Sequence, residues 1–600
     1  MQSSTNLLRW SLLATIHIVC IAIYAIPVLL ETQSSNPVLD EMHIVSDANR
    51  DVNGPTTLQT IWSNDYWGRP LDSPSSHKSW RPISILSFRY LQGGSNILHM
   101  TPLRIHRLVN ILTHAAAAHL VGILTVQFYR PIGSTLHADL LRCLATLLFA
   151  LHPTHVEVTA NAANRPHLIA VLCAVLCASP STHILWFLLG IPIGLLSSET
   201  FLFQLPAIAV THVLILSTKR TLRIRNVLQT CRTYAVSCLI PRWFYIGVCG
   251  LCYLWYRFTV TGLSIPDGLI RPAENPYYSL RGTVRIVSYT YTWAIHVTKQ
   301  WAWELAVGMS HEYGYNCIPA FTNVDPRWWR LVGTVVLLHV LVVSGRTRSR
   351  SFWLYLVWSL ASWIPVSGIL KVGTFVSDRI VVAATVPVCM LVAVWMTEWW
   401  FCRVPRNTTG KPRWYRVGLS LGWLFLLYTR VHERSLQWMD SVPLLLSSLK
   451  ACPNFAKAHM EVSKVYSGLY PELLNMRKAR YHLQRAAEID PDFCDVHYQL
   501  AFLELKTYQH QPGLHPIELE ENLLKALQCP YTMGQAIHMW QQYWQNLLQN
   551  PHGEGNAILL AENQQRYEKY QLQLQEKIQE ESEKETNTAS TQQRHPFAWK

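Results

Sequence analysis

About eleven apolar stretches, each near the length a bilayer asks of a helix, constrain this chain more than any other feature. They lie at roughly 7–30, 107–128, 138–152, 158–178, 183–197, 200–217, 243–263, 329–345, 352–366, 378–401 and 415–429, and several run short of the ~20 residues of a perpendicular span. In hydrocarbon a segment must close its own backbone hydrogen bonds, and an apolar helix does so. The expected fold class is therefore an all-α membrane protein, a polytopic transmembrane bundle of about 11 helices.

Charge orients the bundle. The chain carries 51 Lys and Arg against 37 Asp and Glu, a formal +14. The cations flank apolar segments and form no stripe on a soluble domain, so they read as topology signals and no nucleic-acid partner is expected. With a cytosolic N-terminus, the loops after even-numbered segments should be basic. Those around Lys219 to Arg242, Arg346 to Arg350 and Arg403 to Arg416 are. The first segment then reads as an uncleaved signal anchor. Residues 31–106, residues 264–328 and the C-terminal region fall on the opposite, luminal side, while the Asn407-Thr408-Thr409 sequon should be cytosolic and unglycosylated. Fourteen cysteines form no tight framework, and those in apolar runs, such as Cys20, Cys143, Cys173, Cys177 and Cys249, read as packed or lipid-facing thiols.

Polar groups concentrate in a few places. Asp40-Glu41 opens the first luminal loop, and Ser76-His77-Lys78-Ser79-Trp80-Arg81-Pro82 brings three potential cations and an aromatic ring into the same loop. An acid that takes a proton and cations that hold an anionic leaving group would share that loop; the alternative is a solvated polar loop. His152-Pro153-Thr154-His155-Val156-Glu157 offers imidazoles and a carboxylate, but Pro153 interrupts the helix and there is no third ligand, so capping or substrate contact ranks above metal. Arg165 either faces a polar cavity or snorkels to the interface. Glu199 lies between two apolar segments, and Asp378-Arg379 opens another, where it either serves a site or caps a helix. The stretch 264–328 is too polar to be a simple span, and its middle could lie on the membrane surface as an amphipathic helix. No glycine-rich phosphate loop, Walker lysine or nucleophile elbow is present.

Beyond about residue 430 the pattern becomes amphipathic helix. Cys452-Pro453, Asp490-Pro491 and Cys529-Pro530 recur near a helical-pair period, with an insertion at His510 to His515, which reads as tetratricopeptide-like repeats or a plain helical bundle. The Gln-, Glu- and Lys-rich end from Gln564 reads as an exposed helix fraying into a disordered tail.

Taken together these residues resemble the transmembrane and tetratricopeptide-repeat-containing O-mannosyltransferases, which belong to the GT-C glycosyltransferases. The similarity spans nearly the whole chain. It is carried by Asp40-Glu41, Trp67-Gly68, Ser76 to Pro82, Phe88-Arg89, His106-Arg107-Leu108-Val109-Asn110, Leu151 to Val158, Arg165, Ser198-Glu199, Ser310-His311-Glu312-Tyr313 and Asp378-Arg379. The chain departs from the family's usual pattern at Glu41 (usually Asp), Asn164 (usually Gly), Ser198 (usually Lys), Asp378 (usually Glu) and in lacking a tyrosine after Arg379.

The resemblance implies a GT-C transmembrane domain over 1–430, with luminal loops 31–106 and 264–328, a luminal TPR-like α-solenoid over 431–563 and a polar tail over 564–600. It implies transfer of mannose from dolichyl-phosphate mannose to Ser or Thr of secretory or membrane proteins in the endoplasmic reticulum, without metal or other cofactor, the acceptor protein being held by the repeats. Asp40 would be the general base, near-luminal and partly desolvated, with Glu41 orienting acceptor or sugar. His77, Lys78, Arg81, His152, His155, Glu157, Arg165, Glu199, Glu312 and Arg379 would bind the donor's phosphate and sugar. The alternatives are a GT-C transferase acting on a lipid or N-glycan precursor, and an inactive scaffold whose repeats recruit folding factors.

Overall fold

The structure is a computed structural model that describes residues 15–16, 18–29, 37–45, 49–73, 76–92, 100–129, 135–216, 240–261, 270, 275–302, 317–318, 348–401, 414–510 and 517–549, with isolated positions between 565 and 575. The apolar segment 329–345, the Ser310 to Tyr313 run with Glu312, the sequon at Asn407, most of the basic loops, residues 511–516 and the tail lie outside the described residues. Among the described residues there is no strand, only an isolated bridge between Asn64 and Pro70. The chain forms two compact units, Met1–Pro491 and Asp492–Lys600.

The first unit contains α1 (Ile18–Leu29), a loop of short turns, α2 (Pro82–Gln92), α3 (Pro102–Tyr129), α4 (Thr135–Ala150), α5 (Val156–Ala160), α6 (Arg165–Ala178), α7 (Ile184–Ser197), α8 (Thr200–Leu216), α9 (Ile240–Tyr256), α10 (Gly282–Gln300), α11 (Arg348–Trp363), α12 (Asp378–Phe401) and α13 (Trp414–Gln437). Then come α14 (Ser441–Ala451), α15 (Ala456–Lys464) and α16 (Met476–Ile489). The second unit holds α17 (Cys494–His510), α18 (Ile517–Ala526) and α19 (Pro530–Gln549), packed around Leu519, Leu523, Ala536 and Trp540.

Every apolar segment that falls among the described residues is helical, but two helices, α3 and α12, are long and apolar enough to cross a membrane, with a third span if the bent pair at 153–178 counts as one. Among the described residues the expected apolar segments thus appear as a few long helices and several short ones. Proline is one reason: α4 ends just before His152-Pro153, because the residue ahead of a proline is driven out of the helical region.

The packing is close. Ala117, Ala118, Ala170 and Ala174 are fully buried where α3 and α6 meet, and a Cβ on Gly122 would stand 2.8 Å from the Arg142 carbonyl of α4. Small residues let helix backbones approach where lipid supplies no hydrophobic drive.

The unit has two chemically different ends. Arg350 donates to the carbonyls of Phe128 and Leu214, Arg242 to Thr182 and Arg416 to Trp399, all at the C-terminal ends of helices or just beyond them. These arginines come from the segments that charge assigns to the cytosol. The opposite end gathers Glu41, Arg107, Glu157, Glu199 and Asp378. Arg107 and Phe128 are 21 residues apart on one helix, roughly 30 Å, which matches a hydrocarbon core.

Between α5 and α6 the chain turns by 103°. The broken backbone is satisfied from three sides. Asn110 Nδ2 donates to the carbonyls of Val158 (3.1 Å) and Asn161 (3.0 Å), the Ala162 amide donates to Glu41 Oε1 (2.6 Å), and Tyr66 Oη donates to the Ala163 carbonyl (2.7 Å). Irregular backbone inside an apolar domain persists only where protein closes it in this way. Glu41 is fully buried and meets the guanidinium of Arg107 twice, Nε to Oε1 at 3.1 Å and Nη2 to Oε2 at 2.7 Å.

The polar stretch 264–328 contributes α10, whose second half, from Ser288 to Gln300, is almost wholly buried against the rest of the unit. Four cysteines outside the apolar runs form disulfides: Cys317 is bonded to Cys452 and, within the second unit, Cys494 to Cys529. Cys20, Cys143, Cys173 and Cys177 are buried free thiols.

Two predictions follow from these contacts. Arg107→Met leaves Glu41 a buried unpaired carboxylate and should destabilise the protein by about 3–5 kcal/mol, with partial recovery in the Glu41→Met, Arg107→Met double variant. Thermal unfolding in detergent reads this, and a single variant as stable as wild type contradicts it. In α15 and α16, His459 Nε2 donates to the Pro453 carbonyl at 3.0 Å, so its Nδ1, 2.9 Å from His482 Nδ1, is the acceptor of that pair, a bond that protonation of His459 removes. Burial, with His459 and Lys478 adding, brings His482 down to about 4, and burial lowers His459 as well. Stability from the pair is complete above the ordinary histidine value of ~6.5 and is lost as pH falls from there toward 4. Amide protection factors in α15 and α16 should drop between neutral pH and pH ~5.

Candidate functional site

The site end is built on the loop before α2. Leu39 sits at φ 50 and Lys78 at φ 56, left-handed conformations that cost a side-chain-bearing residue of order 1 kcal/mol. The Leu39–Glu41 turn points consecutive carboxylates different ways: Asp40 is exposed and Glu41 buried. Glu41 accepts four hydrogen bonds, two from Arg107 and one each from the amides of Ala162 and Val38. All its lone pairs are engaged, so it is a positioning residue that fixes where Asp40 stands. The expected partial desolvation of Asp40 is corrected: it faces solvent.

Asp65 organises the rest of the loop. Its buried carboxylate accepts from the amides of Trp67 (2.9 Å), Arg69 (3.0 Å) and His77 (3.1 Å) and from Ser76 Oγ (2.7 Å). The turn so formed carries the chain to Trp80 and Arg81.

Tyr66 is the meeting point. Its hydroxyl is tied to the break at Ala163, the Arg81 guanidinium lies 5.2 Å from its ring, and its phenol is raised chiefly by burial, with Arg81, Asp40, Arg165 and Arg379 as its charged neighbours. Arg81 Nε donates to Glu199 Oε2 at 2.7 Å, and both side chains are partly open. Burial alone would raise the Glu199 carboxyl, but Arg81 and Arg257 hold it below its ordinary value. Across the site, Arg379 donates through Nη1 (2.6 Å) and its amide (2.9 Å) to the buried Glu157, and the adjacent Asp378 pairs with the buried Lys299. His167, on the first turn of α6, has Arg81 and Arg379 as charged neighbours.

Several residues expected to meet a ligand are committed elsewhere. All five N–H groups of the buried Arg165 have acceptors: Nε on Asn110 Oδ1 (2.9 Å), Nη1 on the Ser87 carbonyl and Oγ (3.3 Å each), and Nη2 on His106 O (2.9 Å) and Nδ1 (3.2 Å). It locks α2, α3 and α6 together. Lys78 Nζ donates to the carbonyls of Leu71 and Ser73. His152 bonds Thr154 and the Gln300 carbonyl, and His155 bonds His114 and Thr385, so both ring nitrogens of each histidine are engaged within the protein. His77 is half-buried beside Trp67. Glu312 lies outside the described residues.

What remains facing the same place is Asp40, Arg81 with Glu199, Arg379 with Glu157, and His167. Sequence reasoning passed over Asp65 and His167, and counted Lys299 only among the polar residues of a loop. Among the described residues no group of three or more His, Cys, Asp or Glu could hold a metal ion.

Comparison with known proteins gives named relatives. No family model and no solved structure matches the chain. It is 28% identical over 464 residues to "Protein O-mannosyl-transferase TMTC4" of Homo sapiens, covering 69% of this chain and 59% of that protein. It is 26% identical over 458 residues to "Protein O-mannosyl-transferase F38B6.6" of Caenorhabditis elegans, covering 74% of this chain and 58% of the other. A shorter match, 39% over 150 residues, links it to "Protein O-mannosyl-transferase Tmtc1" of Drosophila melanogaster, covering 24% of this chain and 16% of that protein. The long matches thus span less than two thirds of those relatives' own length. Over most of its length the chain is a homologue of proteins named protein O-mannosyl-transferase.

Proposed function

We propose that this protein transfers mannose from dolichyl-phosphate mannose to Ser or Thr hydroxyls of proteins in the lumen of the endoplasmic reticulum, with inversion at the anomeric carbon and with Asp40 as the base. The observation that carries the reading is the juxtaposition at Tyr66: a solvent-facing carboxylate held by Glu41, and the Arg81 and Arg379 guanidiniums, are all charged neighbours of one ring. The names of the relatives supply the sugar and the protein acceptor. The disulfides support a luminal setting, since such bonds persist in oxidising compartments.

In the proposed step the acceptor hydroxyl oxygen attacks the anomeric carbon from the face opposite phosphate while Asp40 takes its proton. The bond from that carbon to the phosphate oxygen breaks, and dolichyl phosphate leaves as an anion. Arg81 is placed to meet it: Nε is bound to Glu199, and its terminal nitrogens have no acceptor among the described residues. Arg379 adds positive charge behind its pair with Glu157. Charge aimed at a developing anion in a water-poor site is the usual largest contribution to such a barrier. The acceptor protein reaches the site from the helical pairs α14 to α16, to which the 264–328 loop is tied through Cys317 and Cys452.

The test is transfer of radiolabelled mannose from dolichyl-phosphate mannose to a Ser/Thr-containing luminal protein by purified wild-type and Asp40→Asn protein. Loss of a positioned base should lower transfer about 10²–10⁴-fold while donor binding persists. Unchanged transfer in the variant removes Asp40 as base, and no transfer by wild type removes the activity.

A further inference from the structure

We propose that Tyr253, on α9, is part of the donor site and that its hydroxyl, with Glu199 Oε1, takes hydroxyls of the sugar ring while Arg81 takes the phosphate. The inference rests on the donor reading above and adds to it a helix that no motif singled out. Tyr253 lies within an apolar helix and is 7% exposed, yet its hydroxyl has no hydrogen-bond partner among the described residues. A buried phenol usually finds one, and leaving it unmade is costly.

Two contacts hold this part of α9 against the loop that carries Arg81. The ring stacks on Trp80, centroids 6.0 Å apart, and Trp80 precedes Arg81 in the chain. One helical turn on, the buried Arg257 donates through Nη1 to the Lys78 carbonyl at 2.6 Å, pinning the end of α9 to the same loop. The charged neighbours of the phenol are Glu199, Arg257 and Arg81. Beside it, Glu199 gives Oε2 to Arg81, whereas its Oε1 is buried and takes no hydrogen bond from another described residue. Ser79 Oγ, in the segment leading to Trp80, is likewise buried without a hydrogen-bond partner among the described residues.

The chemistry of these groups selects the ligand part. A carboxylate oxygen accepts only, and phenol and serine hydroxyls both donate and accept; none is a cation. That set suits the hydroxyls of a neutral sugar, while the phosphate falls to Arg81, whose terminal nitrogens have no acceptor among the described residues, Arg257 already donating through Nη1 to the Lys78 carbonyl.

The experiment measures binding of a short-chain polyprenyl phosphate, with and without its mannosyl group, to the full-length protein in detergent. Tyr253→Phe keeps the ring on Trp80 and removes only the hydroxyl, and an unchanged melting temperature verifies that the fold is kept. The variant should bind the mannosylated ligand about 5- to 10-fold more weakly, the worth of one hydrogen bond, and the mannose-free ligand as well as wild type. Equal weakening for both ligands, or no weakening for either, overturns the assignment of Tyr253 to the sugar. If wild type binds neither ligand, the donor reading itself fails, a result distinct from wild-type binding with an indifferent variant.

Discussion

One buried carboxylate holds the candidate site in place. Glu41 joins the loop before α2 to α3 through Arg107 and to the break between α5 and α6 through the Ala162 amide. A charge taken out of water at this depth is tolerable only when every lone pair is met, and here all four are. The consequence is geometric. Because Glu41 cannot turn, and because Leu39 sets the turn at positive φ, Asp40 is presented outward at a fixed point above the break.

The same logic sorts the other charges at this end of the unit. Arg165 and Lys78 are cations whose donors are consumed by protein acceptors, so their work is to hold elements together. Arg81 and Glu199 differ: beside their partly open ion pair, the terminal nitrogens of Arg81 and Oε1 of Glu199 have no partner in another described residue. Asp378 and Arg379 are adjacent yet pair in different directions, with Lys299 from α10 and Glu157 from α5. The start of α12 thereby links the second polar loop to the bent helix.

Much of this was legible in the sequence. Apolar blocks named the helices, and the placement of basic loops matches the end where Arg242, Arg350 and Arg416 cap helix carbonyls. Adjacent Asp40 and Glu41 could be read as a site but not told apart, because a short turn separated them by conformation and no periodicity encodes that. Arg165 looked like a ligand for the reason that it is costly in lipid; its five acceptors come from residues 55 to 78 positions away, beyond any local pattern. Lys299 has its partner 79 positions away, and the disulfides close separations of 135 and 35 residues. Tyr253 was invisible because its neighbours in sequence are apolar and its neighbours in space belong to other elements.

Burial by itself does not mark function here, since Glu41, Arg107, Arg165 and Asp65 are all buried and all serve the scaffold. What sets Glu199 and Tyr253 apart from those four is a buried polar atom with no hydrogen-bond partner among the described residues. Several residues elsewhere share that property, and it is its position beside the Arg81 ion pair that gives it meaning here. A saturated network rigidifies and specifies a single arrangement, whereas a network with open valences at one edge invites a ligand to complete it. At the end of this unit where Asp40 stands, the saturated groups lie at the helix break beneath and the open ones lie at Arg81, Glu199 and Tyr253, on the side of the loop covered by α9. That division, a closed foundation and an open edge, is what a transfer site requires: atoms that must not move, next to atoms that wait for a partner.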